Sequence, residues 1–100
     1  MLYDEFMWKV VIKKKALKNL QKLPISVVEL LKALSKDLKT KGPYPGDKWP
    51  NYSKLWGKKH HCHLNYRYVA CWEVIDEEIR LMEVYYVGSR EDAPYGSNYR

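Results

Sequence analysis

The chain has 100 residues, of which 46% are hydrophobic and 30% are charged. This composition is globular, and the length allows one hydrophobic core but not two. No apolar run can span a bilayer, and the first residues lack the basic start and apolar stretch of a signal peptide, so a cytoplasmic protein without membrane contact is expected. The two cysteines, Cys62 and Cys71, are too few for a secreted disulfide framework and are expected to be free thiols.

The net charge of +6 is unevenly distributed along the chain. Residues 1–59 contain fourteen lysines and five acidic residues, a net charge of +9. Residues 60–100 contain four arginines and seven acidic residues, a net charge of −3. The basic half indicates a polyanionic partner such as nucleic acid. The alternative is that the lysines merely cover the solvated faces of helices.

The start of the chain predicts a strand followed by a helix. Residues 6–12 are rich in aromatic and β-branched side chains, which favour a strand. Residues 13–23 place alanine and leucine at three- and four-residue spacing with lysines between them, the pattern of an amphipathic helix. Pro24 is expected to end this helix, because its backbone has no N–H to donate.

A second amphipathic helix is predicted after Pro24. Ser26 and Glu29 stand three residues apart, which matches a capping box at its start. Gly42 is expected to stop this helix. Residues 42–50 contain three prolines and two glycines, so a rigid, irregular loop is expected to follow.

From His60 onward the sequence alternates with period two, which predicts strands. Three strands are expected, at about 55–64, 67–75 and 78–88. Two-residue turns would join them at 65–66 and 76–77. Tyr66 is unfavourable at positive φ, so a first turn one residue longer is the alternative. The predicted fold is α+β with the order β-α-α-β-β-β, a helical hairpin packed on one face of a mainly antiparallel four-stranded sheet.

Two-residue turns define a register, which pairs His60 with Cys71 and sorts the side chains between two faces. The face expected under the helices carries Tyr68, Ala70, Trp72, Val74, Ile79, Leu81, Tyr85 and Val87. The other face is expected to gather cationic, imidazole and phenolic groups at one end: Lys58, His60, Arg67, Tyr86 and Arg90. Such a cluster suits binding a phosphodiester and moving its protons. A one-residue slip in register would reverse these assignments.

The run His60-His61-Cys62-His63 raises the possibility of a metal site. Alternation places His61 and His63 on one face and His60 and Cys62 on the other, so one strand supplies no tetrahedral set. No metal or other cofactor is expected. His61 and His63 are interpreted as packed or hydrogen bonded under the sheet. His60 is interpreted as a catalytic or RNA-contacting residue, with a plain surface histidine as the alternative.

Five segments carry a family resemblance that covers nearly the whole chain. They are the opening strand and lysine-rich helix at 8–20, the Leu23-Pro24 break, Lys54-Leu55-Trp56-Gly57, and residues 66–76 and 84–95. In this order they resemble the RelE/ParE superfamily of toxins from toxin–antitoxin systems, on its RelE-like ribonuclease side. The resemblance implies one RelE-like toxin domain at 1–95 and a short C-terminal tail at 96–100.

The resemblance also implies an activity. RelE-like toxins enter the ribosomal A site and cut mRNA by attack of a ribose 2′-OH on the adjacent phosphate, without a metal. By this resemblance Arg67 and Arg90 match the arginines that hold the scissile phosphate. Tyr95 matches the C-terminal tyrosine that orients the base or assists proton transfer. The implied partners are mRNA on the ribosome and a cognate antitoxin protein, with the toxin a monomer or part of a small hetero-oligomer.

The acid–base groups are less defined by the resemblance. Lys58 and His60 fall where the family carries basic residues on its second strand. His60 stands where the best-known members have lysine, and an imidazole titrating near neutrality is a better acid–base group. Lys59 and His61 are the alternatives for this role.

Two other functions are compatible with the same fold. A ParE-like toxin would poison DNA gyrase by binding alone, although members of that branch generally lack the basic and phenolic set. A catalytically inert module would only bind an antitoxin. The second alternative depends on apolar residues expected to be exposed on the face away from the helices, namely Val69, Cys71, Met82 and Val84.

Overall fold

A computed structural model describes residues 7–95 of the chain. The elements are β1 (Lys9–Ile12), α1 (Lys14–Leu20), α2 (Ile25–Lys41), β2 (Ser53–Lys54), β3 (Lys59–His63), β4 (Tyr68–Asp76), β5 (Leu81–Ser89) and a 3-10 turn at Arg90–Asp92. The strands form one sheet in the order β1-β5-β4-β3-β2. β1 runs parallel to β5, and the other neighbouring pairs are antiparallel. Phe6 of the predicted first strand and the predicted tail at 96–100 lie outside the described residues.

The α+β class is confirmed, but the predicted count of four strands is wrong. The additional strand is β2, whose two residues pair with His61 and His60 of β3. Both of its residues are exposed, so no alternation of apolar and polar side chains marks it in the sequence. Neither helix within residues 7–95 combines the length and the apolarity that crossing a bilayer requires.

The second helix begins earlier than predicted and ends where predicted. α2 begins at Ile25 with Pro24 as its N-cap residue, and no described side chain caps its first turn. The capping box expected from Ser26 and Glu29 is therefore wrong. The fixed φ of Pro24 orients its carbonyl to accept from first-turn N–H groups, so the helix starts without a polar cap. Gly42 ends the helix with φ 89°, a conformation that favours glycine.

One face of the sheet, here the helix face, packs against the helices. Its core consists mainly of Val27, Leu31, Leu34, Leu38, Cys62, Ala70, Trp72, Met82, Val84 and Val87. Burying a valine, leucine or methionine side chain contributes about 1.5–3 kcal/mol, so this core is the main source of hydrophobic stabilisation among the described residues. Trp72 also donates its indole N–H to the Pro43 carbonyl at 3.0 Å, which ties the loop after α2 to the core.

The register between β3 and β4 differs by one residue from the predicted one. His60 lies opposite Trp72, and His61 lies opposite Cys71. Because side chains alternate along a strand, this shift exchanges the two faces of β3 relative to β4. His60 therefore lies on the helix face. The opposite side, here the second face, carries Ser53, His61, His63, Cys71 and Tyr86.

The turn between β3 and β4 causes this shift. It has three residues, 65–67, and is closed by the Leu64 N–H, which donates to the Tyr68 carbonyl at 2.8 Å. The side chain of Asn65 accepts from the N–H groups of Arg67 and Tyr68 at 2.8 and 2.9 Å, which stabilises the longer loop. The two-residue turn is thus wrong, and the longer alternative is confirmed.

The second hairpin also differs from the prediction. Asp76 lies opposite Leu81, so the turn spans residues 77–80 instead of two residues. Two register shifts follow, one between Val74 and Asp76, where β4 contains one extra residue, and one between Cys71 and Trp72, where β5 does. The first places Met82 and Val84 opposite Val74 and Trp72, so they join the core of the helix face instead of the face assigned to them.

The exposed apolar patch expected for a binding-only module is absent from the described residues. Its four predicted members, Val69, Cys71, Met82 and Val84, are each 0% exposed. Two of them belong to the core under the helices. The other two lie on the second face, where side chains of the C-terminal segment pack nearby.

Candidate active site

Arg67 and Arg90 come together where β4 begins and β5 ends. The N–H of Arg90 donates to the carbonyl of Arg67 at 2.8 Å. Both side chains are exposed. A groove of about 450 Å³ is lined by Tyr66, Arg67, Tyr68, Ser89, Arg90 and Glu91. The Arg90 guanidinium lies 4.8 Å from the centre of the Tyr66 ring. Two guanidinium groups in one groove are suited to holding a phosphate group.

The 3-10 turn after β5 leads the chain from this groove to Tyr95. The hydroxyl of Ser89 caps the turn by accepting from the Asp92 N–H at 3.3 Å. Tyr95 then packs on His61, with ring centroids 4.7 Å apart and ring planes inclined by 56°. Burial raises the pKa of the Tyr95 hydroxyl, while the nearby charge of Arg90 lowers it. Arg90 thus lies close enough to Tyr95 for its positive charge to act on the phenol.

His61 and His63 lie on the same face as Tyr95, with ring centroids 5.9 Å apart. His61 is buried, and the hydroxyl of Ser53 lies 3.0 Å from its Nδ1. His63 is half-buried, and the side-chain nitrogen of Asn51 lies 3.5 Å from its Nδ1. Burial lowers the pKa of both imidazoles, and the Arg90 guanidinium lowers that of His63 further. Both rings are therefore neutral at pH 7, the state that accepts a proton.

Lys58 and His60 do not join this group. The ammonium of Lys58 lies 3.8 Å from a carboxylate oxygen of Glu77. His60 stacks on Trp72 with centroids 5.9 Å apart and planes inclined by 6°, and its Nδ1 lies 2.7 Å from the Tyr52 hydroxyl. The predicted grouping of Lys58 and His60 with the two arginines is wrong, because the longer turn exchanges the faces of β3.

Five side chains form what we call the imidazole–arginine cluster: His61, His63, Arg67, Arg90 and Tyr95. Sequence reasoning included the two arginines and the tyrosine, interpreted both histidines as packed or hydrogen bonded under the sheet and, of the two, kept only His61 as an alternative acid–base residue. A signal for them existed in Tyr66, because the longer turn that it favours moves His61 and His63 to the face of the cluster. Ser53 had no such signal, since a two-residue strand produces no pattern.

Lys59, an alternative basic residue, lies opposite Glu73 and therefore on the second face. Its ammonium is 4.8 Å from the ring centre of Trp56 and 5.6 Å from that of Tyr85. These cation–π contacts hold the lysine against aromatic rings. Lys59 therefore lies beside aromatic rings and Glu73, and it makes none of the described contacts with the two arginines of the cluster.

Cys62 and Cys71 are free thiols, as expected, and both are fully buried. Burial raises the pKa of each thiol to about 12, so neither is a nucleophile near neutral pH. Across residues 7–95, no three histidine, cysteine, aspartate or glutamate side chains are grouped so that they could hold a metal ion.

Comparisons with known proteins give matches at the level of structure. No protein-family model matches the sequence, and no curated protein matches it. A chain of the archaeal RelE–RelB complex from Pyrococcus horikoshii has a TM-score of 0.67 and 20% identity, over 86% of this chain and 98% of that chain. For the YoeB–YefM complex from Staphylococcus aureus the TM-score is 0.64 and the identity 15%, over 83% and 97%.

A third match has a higher sequence identity. The isolated Escherichia coli RelE toxin has a TM-score of 0.64 and 26% identity, over 86% of this chain and 87% of that chain. All three matches cover more than four fifths of this chain. Their common fold, together with the identity to Escherichia coli RelE, shows that this chain belongs to the RelE-like toxin superfamily.

Proposed function

We propose that this protein is the toxin of a toxin–antitoxin pair and acts as an endoribonuclease on mRNA bound to the ribosome. The observation that carries the proposal is the convergence of two arginines, two histidines and a tyrosine on one face of a RelE-like fold. The similar chains from Pyrococcus horikoshii and Staphylococcus aureus are in complexes with RelB and YefM. This supports an antitoxin protein as the partner of this chain.

The proposed reaction is attack of a ribose 2′-OH on the adjacent phosphate, which breaks the bond to the 5′ oxygen of the next nucleotide. It requires cations for the charge that builds on the phosphate, a group that takes the 2′ proton and a group that protonates the leaving oxygen. Arg67 and Arg90 supply the cations, because both line the same groove. These steps use side chains alone and need no metal ion.

His63 is the imidazole best suited to take the 2′ proton. Of the three histidines in β3, His60 and His61 are only 8% and 9% exposed, whereas His63 is more accessible. Burial and the neighbouring Arg90 lower the pKa of His63, so the ring is neutral and can accept a proton at physiological pH. The raised pKa of Tyr95 keeps its hydroxyl protonated, as a donor to the leaving oxygen must be.

The charge of the first helix supports an RNA partner. Lys13, Lys14, Lys15 and Lys18 line a groove of about 590 Å³ on α1, together with Leu17 and Gln21. The side chain of Asn19 donates to the Val87 carbonyl at 2.6 Å, which joins α1 to the end of β5 just before Arg90. The lysines of α1 therefore form a second basic surface, which a polyanion such as RNA can contact.

The test is tightly induced expression in a bacterium, with a pulse of labelled methionine and primer extension on an abundant mRNA. We expect the wild type to stop translation and to produce new cleavages inside the reading frame. Arg67→Ala or Arg90→Ala should each reduce cleavage by about 10²–10³-fold, because a donor to the developing charge is lost. Both side chains are exposed, so the free energy of unfolding, measured with urea, should change by no more than about 0.5 kcal/mol.

Lys32→Ala is the matched control, since it removes an exposed cation from α2 and should leave cleavage unchanged. Full toxicity of the Arg67→Ala/Arg90→Ala double variant would contradict the proposal. DNA breaks with intact translation would indicate a gyrase poison instead. An inert wild type would indicate a module that only binds an antitoxin.

A further inference from the structure

Ser53, His61 and Tyr95 form a line of contacts that runs from the edge of the sheet into the imidazole–arginine cluster. Ser53 of β2 lies opposite His61 of β3, and its hydroxyl is 3.0 Å from Nδ1 of that histidine. On its other side the His61 ring packs on the Tyr95 ring, with centroids 4.7 Å apart. His61 is buried, so it contacts these neighbours rather than an incoming substrate.

We propose that Ser53 and His61 are positioning residues for Tyr95. Ser53 holds the imidazole of His61 in one orientation and one tautomer, and the imidazole supports the ring of Tyr95 beside the arginine groove. The inference rests on the proposed function, because it assigns roles within the same reaction. It adds two residues, Ser53 and His61, that affect the reaction by positioning Tyr95.

The contact between the Ser53 hydroxyl and His61 Nδ1 can fix the ring, because a hydroxyl can either donate to a ring nitrogen or accept from it. Whichever role the hydroxyl takes, the ring nitrogen takes the opposite one, so the contact sets the tautomer of His61 and holds the ring in one orientation.

The contact between Ser53 and His61 gives β2 a role in the candidate site. Its two residues are exposed and bury no apolar side chain, so the strand adds little to the core. What it contributes is a hydroxyl beside His61. The preceding residue, Tyr52, binds Nδ1 of His60 at 2.7 Å on the helix face. Adjacent residues thus hold adjacent histidines on opposite faces, which provides a matched control.

The first experiment measures cleavage of ribosome-bound mRNA by the purified full-length protein over a range of pH. We expect Ser53→Ala to lower kcat roughly tenfold with KM unchanged, a fraction of the about 10²–10⁴-fold that proton transfer contributes. Ser53→Thr keeps the hydroxyl and should restore the rate. Tyr52→Phe removes the hydroxyl bound to His60 and should leave kcat unchanged. Equal effects of Ser53→Ala and Tyr52→Phe would overturn the inference.

A double-mutant cycle tests whether Ser53 acts through Tyr95. In a Tyr95→Phe background the hydroxyl to be positioned is gone, so Ser53→Ala should cause no further loss of kcat. Additive losses would show that Ser53 acts by another route and would overturn the inference. The same kcat for Tyr95→Phe with and without Ser53→Ala would support it.

Nitrogen-15 spectra of the histidine rings give a readout that does not depend on cleavage. We expect His61 of the wild type to show one tautomer, fixed by the Ser53 hydroxyl, and Ser53→Ala to produce a mixture of tautomers. A His61 spectrum unchanged by Ser53→Ala would overturn the inference. If the spectrum changes but the wild type cleaves no RNA, the proposed function fails while the contact between Ser53 and His61 stands, and the role assigned to Tyr95 is overturned with that function.

Discussion

His60 and His61 are neighbours in the chain and are equally buried, yet they have different surroundings. His60 stacks flat on Trp72 beneath the helices, whereas His61 is inclined to Tyr95 on the second face. Burial lowers the pKa of both rings. Burial and a lowered pKa therefore do not separate a core histidine from one at a candidate site. The neighbouring residues do, because among the described residues an arginine acts on His63 of the second face and a lysine acts on His60.

The largest effect is expected from changing the core on the helix face. Trp72→Ala removes a fully buried aromatic side chain and should lower the free energy of unfolding by about 3–5 kcal/mol. Tyr95→Phe on the second face should change it by no more than about 0.5 kcal/mol while cleavage falls. Urea unfolding of both variants measures the contrast. A loss below about 1 kcal/mol for Trp72→Ala would show that this face is not the core.

A smaller effect is expected from acid. Burial lowers the pKa of His60, and the charge of Lys54 lowers it further, so the folded protein binds this proton less readily than the unfolded chain. The contribution of His60 to stability is complete above the unfolded pKa of about 6.5 and is lost as the pH falls through the folded value. His60→Phe keeps the stacking on Trp72 and should flatten the loss of stability between pH 7.5 and 5.5.

The pH dependence of stability that remains in His60→Phe should come from His61 and His63, whose pKa values are also lowered by burial. Urea midpoints at pH 7.5, 6.5 and 5.5 provide the measurement. Cleavage at pH 7.5 should be retained, because His60 faces the helices. A slope identical to that of the wild type would mean that His60 is not buried in its neutral form.

The smallest effect is expected at the turn between β3 and β4, which decides which of the two histidines lies on which face. Asn65→Ala removes the acceptor for the N–H groups of Arg67 and Tyr68 and should cost about 1 kcal/mol. Faster amide exchange at these two residues would show that the loop has loosened. Asn65→Asp keeps an acceptor and should cost less. Equal losses in both variants would argue against a role for the side-chain hydrogen bonds.

Much of the fold could be predicted from the residues alone. The α+β class, the order of the longer elements and the stop at Gly42 depend on local properties, namely the spacing of apolar side chains and the backbone freedom of glycine. The strands expected at 67–75 and 78–88 lie at Tyr68–Asp76 and Leu81–Ser89. Arg67 and Arg90 were candidates both from the predicted register and from the family resemblance, whereas Tyr95 came from the resemblance alone. The resemblance assigns residues by chain order, which does not depend on register.

Tertiary structure decided which histidines lie near Arg67, Arg90 and Tyr95. The choice between a two- and a three-residue turn at Asn65 depends on hydrogen bonds worth about 1 kcal/mol each, a small margin for local sequence patterns to resolve. Because the side-chain period of a strand is two, that single residue moves His60 beneath the helices and His61 and His63 to the arginines. The pairing of β2 with β3 was likewise decided only by the assembled sheet, since two exposed residues have no periodicity to read.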